Sequence, residues 1–217
     1  MAEVVLVHGA WHGAWCFDGV VDRLQELGVP VTAVELPLTG QAADVAAARA
    51  ALEAAAGPVV VLGHSYGGSV ITAAASGITG VTRLIYLAAF LTEPGTDITT
   101  LTSPRLLQAV VVTDAGIGVD PAEAAGIFYG DADPATAAAA VARLRPMALD
   151  AAEAEIEPAW RSVPATYVVC TRDEAIPVSA QRAMAARAQT VLEWHADHSP
   201  FLTRPADIAD LAAGYLA

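Results

Sequence analysis

Short runs of β-branched and aliphatic residues alternate along this chain with alanine-rich stretches of helical spacing. That is the rhythm of a parallel sheet built from βαβ units. Val4 to Val7 reads as a first strand, followed by a glycine-containing loop and a helix from about Phe17 to Leu27. A second strand covers Val29 to Leu36, and a helix from Ala42 to Ala56 stops at Gly57-Pro58. Val59 to Leu62 is the third strand, Ser69 to Ser76 lies in the helix after it, and Leu84 to Phe90 is the fourth strand. The rhythm then breaks. From Leu91 to about Val163 prolines and short helical pieces replace buried strand runs. It resumes with a strand at Thr166 to Cys170, a helix at Ser179 to Ala188, a strand at Val191 to His195 and a last helix at Ala206 to Leu216. The pattern predicts an α/β protein in one domain, a mostly parallel sheet flanked by helices with a helical cap inserted after the fourth strand. Residues 1–90 and 164–217 would form the core, and 91–163 the cap or lid.

The third strand runs straight into Gly63-His64-Ser65-Tyr66-Gly67 and then into a helix. This is G-x-S-x-G in the strand–turn–helix setting that gives the motif its meaning. The turn is so tight that positions two before and two after the serine must be nearly free of side chain, and Gly63 and Gly67 supply that. The hydroxyl is pushed out at the C-terminal end of the strand, where ligands bind in open α/β sheets. Ser65 therefore reads as a nucleophile.

A serine hydroxyl needs an adjacent base, itself oriented by a carboxylate, and with this kind of turn the chain order is Ser, acid, His. Asp173 follows the strand ending near Thr171, and His198 follows the last strand. Both loops leave the same sheet edge as Ser65. The expected roles are attack by Ser65, proton transfer through His198, and orientation of the imidazole by Asp173. Glu174 and Glu93 are competing acids, with Glu93 the runner-up. The oxyanion requires backbone donors; the N–H of Tyr66 is one, and the Ala10 N–H in His8-Gly9-Ala10-Trp11 is the other. His8 and His64 read as loop-ordering residues and His12 as the histidine facing the pocket. Trp11, His12, Phe128, Tyr129 and Trp160 are candidate pocket residues, with Leu106, Leu107 and Met147 beside them and Trp15 sharing the ambiguity of Trp11. No carboxylate or cysteine falls at ligand spacing around the histidines, so no metal is expected.

Composition adds limits. The 217 residues are 55% hydrophobic with a mean hydropathy of +0.47. Much of that is alanine, and no run reaches the ~18 apolar residues of a spanning helix. The first strand begins at Val4 and leaves no room for a signal segment, so a cytoplasmic protein without membrane association is expected. A net charge of −13 argues against nucleic acid as partner. The expected partner is a small-molecule ester, and a homodimer is compatible with the sequence. Cys16 and Cys170 lack C-x-x-C or metal spacing and read as buried, reduced thiols.

The segments VLVHGAWHGAWCF (5–17), VTAVELPLTG (31–40), VVVLGHSYGG (59–68), YLAAFL (86–91), CTRDEAIP (170–177) and HSPFLTRP (198–205) resemble the α/β-hydrolase superfamily. More narrowly they resemble its small esterases, related to plant methylesterases and hydroxynitrile lyases. The resemblance implies an α/β-hydrolase fold with about six parallel strands, a Ser65, Asp173, His198 triad, an oxyanion hole from Ala10 and Tyr66, and no cofactor. It implies a carboxylesterase-type hydrolase acting through an acyl-enzyme. The lyases carry threonine where this chain has Gly9, and lysine where it has Ser199, which favours hydrolysis. A lyase, a cyclising or C–C-bond-cleaving enzyme, and a slow-turnover ligand receptor remain the alternative readings, since one fold hosts all of these.

Overall fold

A computed structural model describes residues 1–93, 95–148 and 157–216. Pro94 and residues 149–156 of the expected insertion lie outside the described residues. The strands β1 (Glu3–Val7), β2 (Val31–Val34), β3 (Val59–His64), β4 (Val81–Leu87), β7 (Ala165–Cys170) and β8 (Thr190–Trp194) form one sheet in the order β2-β1-β3-β4-β7-β8. Every neighbouring pair in it is parallel. The helices between them are α1 (Asp18–Glu26), α2 (Gln41–Ala54), α3 (Tyr66–Ala74), α7 (Val178–Ala185) and α8 (Pro205–Gly214).

The two-residue period of a strand splits the sheet's side chains into two cores. Val4, Leu6, Val60, Leu62, Ile85 and Val168 face α1 and α8, where Val20, Leu24, Ile208 and Ala212 meet them. Val5, Val7, Val61, Leu84, Tyr86 and Val169 face the other way, onto Leu52 of α2, Ile71 of α3 and Met184 of α7. Residues buried on both sides read as unbroken apolar runs, which is why β3 and β7 are legible as VVVL and TYVVC. The edge strands β2 and β8 are half-buried; β2 is shorter than the expected Val29 to Leu36, while β8 lies one residue before its expected bounds.

The segment between β4 and β7 carries three short helices, α4 (Pro104–Ala109), α5 (Pro121–Phe128) and α6 (Pro134–Val141). Each begins Ser-Pro or Asp-Pro. Ser103, Asp120 and Asp133 accept bonds from first-turn N–H groups, and the proline occupies a position whose N–H needs no partner. The expectation of a purely helical insertion needs one correction. An antiparallel hairpin of β5 (Val110–Thr113) and β6 (Gly116–Val119) follows α4 directly. Its apolar strand is largely solvent-facing, with Val112 78% exposed, so it lacks the pattern of a buried strand.

The order in which strands are added reverses between β1 and β3: β2 lies on one side of β1 and β3 on the other. The register pairs Val7 with Gly63, so the loop after β1 and the turn after β3 leave the sheet edge together. This is the switch point at which doubly wound sheets open a crevice. The backbones there are in contact. A Cβ on Gly67 would collide with Val7 O and lie 2.7 Å from His8 O, and one on Gly63 would lie 2.6 Å from Gly67 O.

Gly67→Ala is therefore expected to destabilise the fold by about 2–4 kcal/mol through backbone displacement rather than cavity formation. Urea unfolding would read this as a lower midpoint with unchanged slope; an unchanged midpoint would mean that the two loops part at no cost.

Candidate active site

Ser65 sits between β3 and α3 at φ 52°, ψ −121°, a backbone conformation that a residue with a Cβ rarely adopts. Three backbone bonds hold it: Ser65 N–H donates to Leu87 O (3.3 Å), and Ser65 O accepts from Gly68 N–H (3.0 Å) and Phe90 N–H (3.1 Å). Opposite, Gly9 lies so close that a Cβ there would be 2.9 Å from the Ser65 Cβ. The loop after β1 thus runs directly past the serine.

Across the same sheet edge His198 Nδ1–H donates to Asp173 Oδ2 at 2.8 Å, with both side chains buried. The other Asp173 oxygen accepts from Ala175 N–H (2.7 Å) and Ile176 N–H (2.8 Å). Gln181 of α7 completes the shell. Its Nε2–H donates to Asp173 Oδ2 (2.8 Å) and its Oε1 accepts from Cys170 N–H (3.0 Å). A carboxylate receiving this many donors is fixed in orientation. With Nδ1 protonated and facing Asp173, the other nitrogen of neutral His198 carries the lone pair.

The loop carrying His198 is clamped from two sides. His64, the residue before Ser65, donates Nε2–H to His198 O at 2.8 Å. Asp197 Oδ2 accepts from Asp131 N–H and Asp131 Oδ2 accepts from Asp197 N–H, both at 2.9 Å, which joins this loop to the connection between α5 and α6. Burial raises the Asp197 carboxyl above the usual carboxylate range. Arg172 forms an ion pair with Asp131.

A cavity of about 680 Å³ opens beside Ser65. Ala10, Trp11, Ser65 and Tyr66 line it together with Phe90, Leu106, Leu107, Val110, Ile117 and Met147. Glu93 is also on its wall but ion-paired with Arg161 (2.8 Å) and partly exposed, while Glu174 lies on the surface near Arg105. Neither acid shares a hydrogen bond with His198. The other candidate pocket residues lie elsewhere. His12 is buried, donating Nδ1–H to Ala10 O (2.7 Å) and accepting from the Tyr129 hydroxyl at Nε2 (2.8 Å). Phe128 packs against Trp11, His12 and His198. Trp160 donates to Thr92 O at 3.2 Å, and Trp15 stacks on His12. Among the described residues, none of these five lines the cavity. His12, Trp15, Phe128 and Tyr129 pack against one another beside the cavity, and Trp160 packs on the other core of the sheet. Cys16 and Cys170 are buried and free, with burial pushing both thiols up. No group of three or more potential metal ligands occurs among the described residues, and none of their helices is long and apolar enough to cross a membrane.

Residues 4–211 match the family model described as the alpha/beta hydrolase family. The chain belongs to the alpha/beta hydrolase family. It is 28% identical to alpha/beta hydrolase nvfD of Aspergillus novofumigatus, over 93% of this chain and 91% of that protein. It is 26% identical to methylesterase 7 of Arabidopsis thaliana, over 96% and 94%. In the crystal structure of a pyrethroid hydrolase, PytH, the same fold covers 99% of this chain and 98% of that one, with a TM-score of 0.82 at 24% identity. The likeness places this alpha/beta hydrolase in the esterase branch.

Gln181 is absent from the sequence-based candidates. Its signal is weak: an amide on the buried face of a helix, one turn before Met184 and Ala185. The three histidines around the site are a clearer finding. His8 donates Nδ1–H to Gly9 O (2.8 Å) and accepts from Leu36 N–H (3.0 Å). Each of His8, His12 and His64 thus has a tautomer fixed by a carbonyl acceptor. Desolvation lowers His8 to about 4 and His12 to about 3, and holds His64 well below the usual histidine value.

Because these folded-state values lie below that of an unfolded histidine, stability is fully present above pH ~6.5 and is lost as the pH falls toward about 4 and about 3. Three such groups remove roughly 4 kcal/mol between pH 7.5 and 5.5, about 1.4 kcal/mol each. Urea unfolding at the two pH values checks this, and equal stabilities would contradict neutral burial.

Proposed function

We propose that this protein is a serine carboxylester hydrolase that acts on small, uncharged esters through an acyl-enzyme. The observation that carries the reading is the convergence at one sheet edge of a strained Ser65, a buried His198–Asp173 hydrogen bond and an apolar cavity. In the acylation step the His198 Nε2 lone pair takes the Ser65 proton as Oγ attacks the ester carbon. Asp173 stabilises the resulting imidazolium and keeps Nδ1 facing it. The carbonyl oxygen becomes an oxyanion, for which the Ala10 and Tyr66 N–H groups are the donors. His198 then protonates the leaving alcohol. Water repeats the sequence on the acyl-enzyme and releases the acid.

The cavity favours this substrate class. Its charged lining residues among those described are the acids Glu93 and Asp97, with no basic partner for an anionic substrate. A neutral ester of drug-like size fits the volume. The carboxylate product meets apolar walls and an acidic rim, which favours release. The residues between β4 and β7 act as the cap over this space. The relatives named as a methylesterase and a pyrethroid hydrolase support ester hydrolysis. Gly9 and Ser199 support it over the lyase reading: a threonine at position 9 would place its Cβ 2.9 Å from that of Ser65, and Ser199 supplies no cation for a departing anion.

Steady-state and burst kinetics on a p-nitrophenyl ester series test the assignment. Ser65→Ala is expected to abolish the burst and lower kcat by about 10⁴–10⁶-fold. Asp173→Asn is expected to lower it by about 10⁴-fold through the wrong imidazole tautomer, whereas Glu93→Gln leaves it within a few-fold. The opposite ranking of the two acid variants would reassign the triad.

A further inference from the structure

Two residues with side chains, Trp11 and Leu38, hold left-handed backbone at the C-terminal edge of β1 and β2, with φ of 62° and 57°. Such conformations persist only where the surroundings impose them. Both are tied to one short stretch between α6 and β7. Arg145 N–H donates to Trp11 O at 2.7 Å, and Ala148 N–H donates to Leu38 O at 2.8 Å. The Arg145 side chain reaches over the same loops. Its Nε and Nη2 donate to His12 O (3.2 and 3.0 Å), and Nη2 also donates to Leu36 O (3.1 Å). The guanidinium is ion-paired with Glu35, whose second oxygen accepts from Ala14 N–H at 2.8 Å. The Trp11 indole donates to Ile117 O (3.0 Å), and Ile117 exchanges backbone bonds with Met147 (2.8 and 2.9 Å). Residues 145–148 therefore form a strap that fixes the loop directly after Ala10, at Trp11 and His12 and, through Glu35, at Ala14.

We propose that Arg145 is a positioning residue for the oxyanion hole: it holds Trp11 and His12 so that the Ala10 N–H faces the oxygen that becomes negative. The inference rests on the ester-hydrolase reading. The carbonyls of residues 12 and 36 and the Glu35 carboxylate meet at one cation, and a fixed planar fork satisfies several at once where an ammonium cannot. Without the guanidinium the His12 and Leu36 carbonyls and the Glu35 carboxylate lose their shared partner, and the backbone following Ala10 can relax, which turns the peptide planes next to it. The oxyanion hole is built of such planes, and preorganised donors act on the transition state more than on the bound ester. The loss is thus expected in kcat and not in KM. Sequence order alone hides the connection, because Arg145 is more than 130 residues from the loop it holds.

The test compares wild type, Arg145→Lys, Arg145→Met and Ser65→Ala on a p-nitrophenyl ester, each below its own Tm, and measures binding of an alkylboronic acid, whose serine adduct carries the tetrahedral oxyanion geometry. Arg145→Met is expected to lower kcat by about 10–100-fold, with KM within about threefold and boronate affinity reduced by a factor close to that of kcat. Arg145→Lys, which keeps the charge but not the fork, falls between. Unchanged kcat and boronate affinity in Arg145→Met, or a rise in KM alone, would overturn the inference while an inactive Ser65→Ala leaves the hydrolase reading standing. A Ser65→Ala enzyme as active as wild type would instead remove that reading.

Discussion

The contact on which the rest of the structure depends is the near-touching of two backbones, where the loop after β1 passes the turn after β3. At Gly9, Gly63 and Gly67 there is no room for a methyl group. That absence lets the chain enter α3 straight from β3 and holds Ser65 in a conformation it would not adopt alone. Strain of this kind costs on the order of 1–3 kcal/mol. It is offset by the two packed faces of the sheet, in which β3 and β7 are buried along their whole length. The rigidity of the core and the exposure of one hydroxyl are thus two results of one packing constraint.

Around this point the protein uses histidine in two ways. His198 is bonded to the Asp173 carboxylate. His8, His12 and His64 are bonded to carbonyl groups and kept neutral by burial, so each acts as a rigid linker with one donor and one lone pair. His8 links the ends of β1 and β2, His64 ties the nucleophile turn to the histidine loop, and His12 joins the β1 loop to Tyr129 of the insertion. Among the described residues, the insertion reaches these loops through Asp131 with Asp197, Tyr129 with His12, Ile117 with Trp11, and Arg145 with residues 11 and 12. The segment between β4 and β7 therefore also holds the loops that carry Ala10 and His198.

The features legible in the sequence are those with short-range signatures. Buried parallel strands show as apolar runs, the serine turn as two spaced glycines, and Asp173 and His198 as polar residues just past strands on one sheet edge. What was not legible depends on distant partners. Gln181 is an ordinary helix residue until β7 places Cys170 and Asp173 above it. Arg145 looks like a solvated charge until the strap crosses β1 and β2. The hairpin of β5 and β6 was missed because its valines face solvent instead of a core. Phe128, Tyr129, Trp160 and His12 were expected at the pocket because aromatic residues suit both a ligand wall and a packed seam. Phe128, Tyr129 and His12 instead pack against one another and Trp160 bonds to Thr92 O, so each meets other protein groups.

The central claim is that Ser65, activated by His198, becomes covalently acylated. The most direct measurement is rapid mixing of the enzyme with a p-nitrophenyl ester, acid quench within the burst, and intact-mass followed by peptide mass analysis. The account predicts a mass increase equal to one acyl group, located on the peptide containing Ser65, forming at the burst rate and absent in His198→Ala over the same interval. A burst with no acylated Ser65 peptide, or acyl transfer to another residue at that rate, would contradict it.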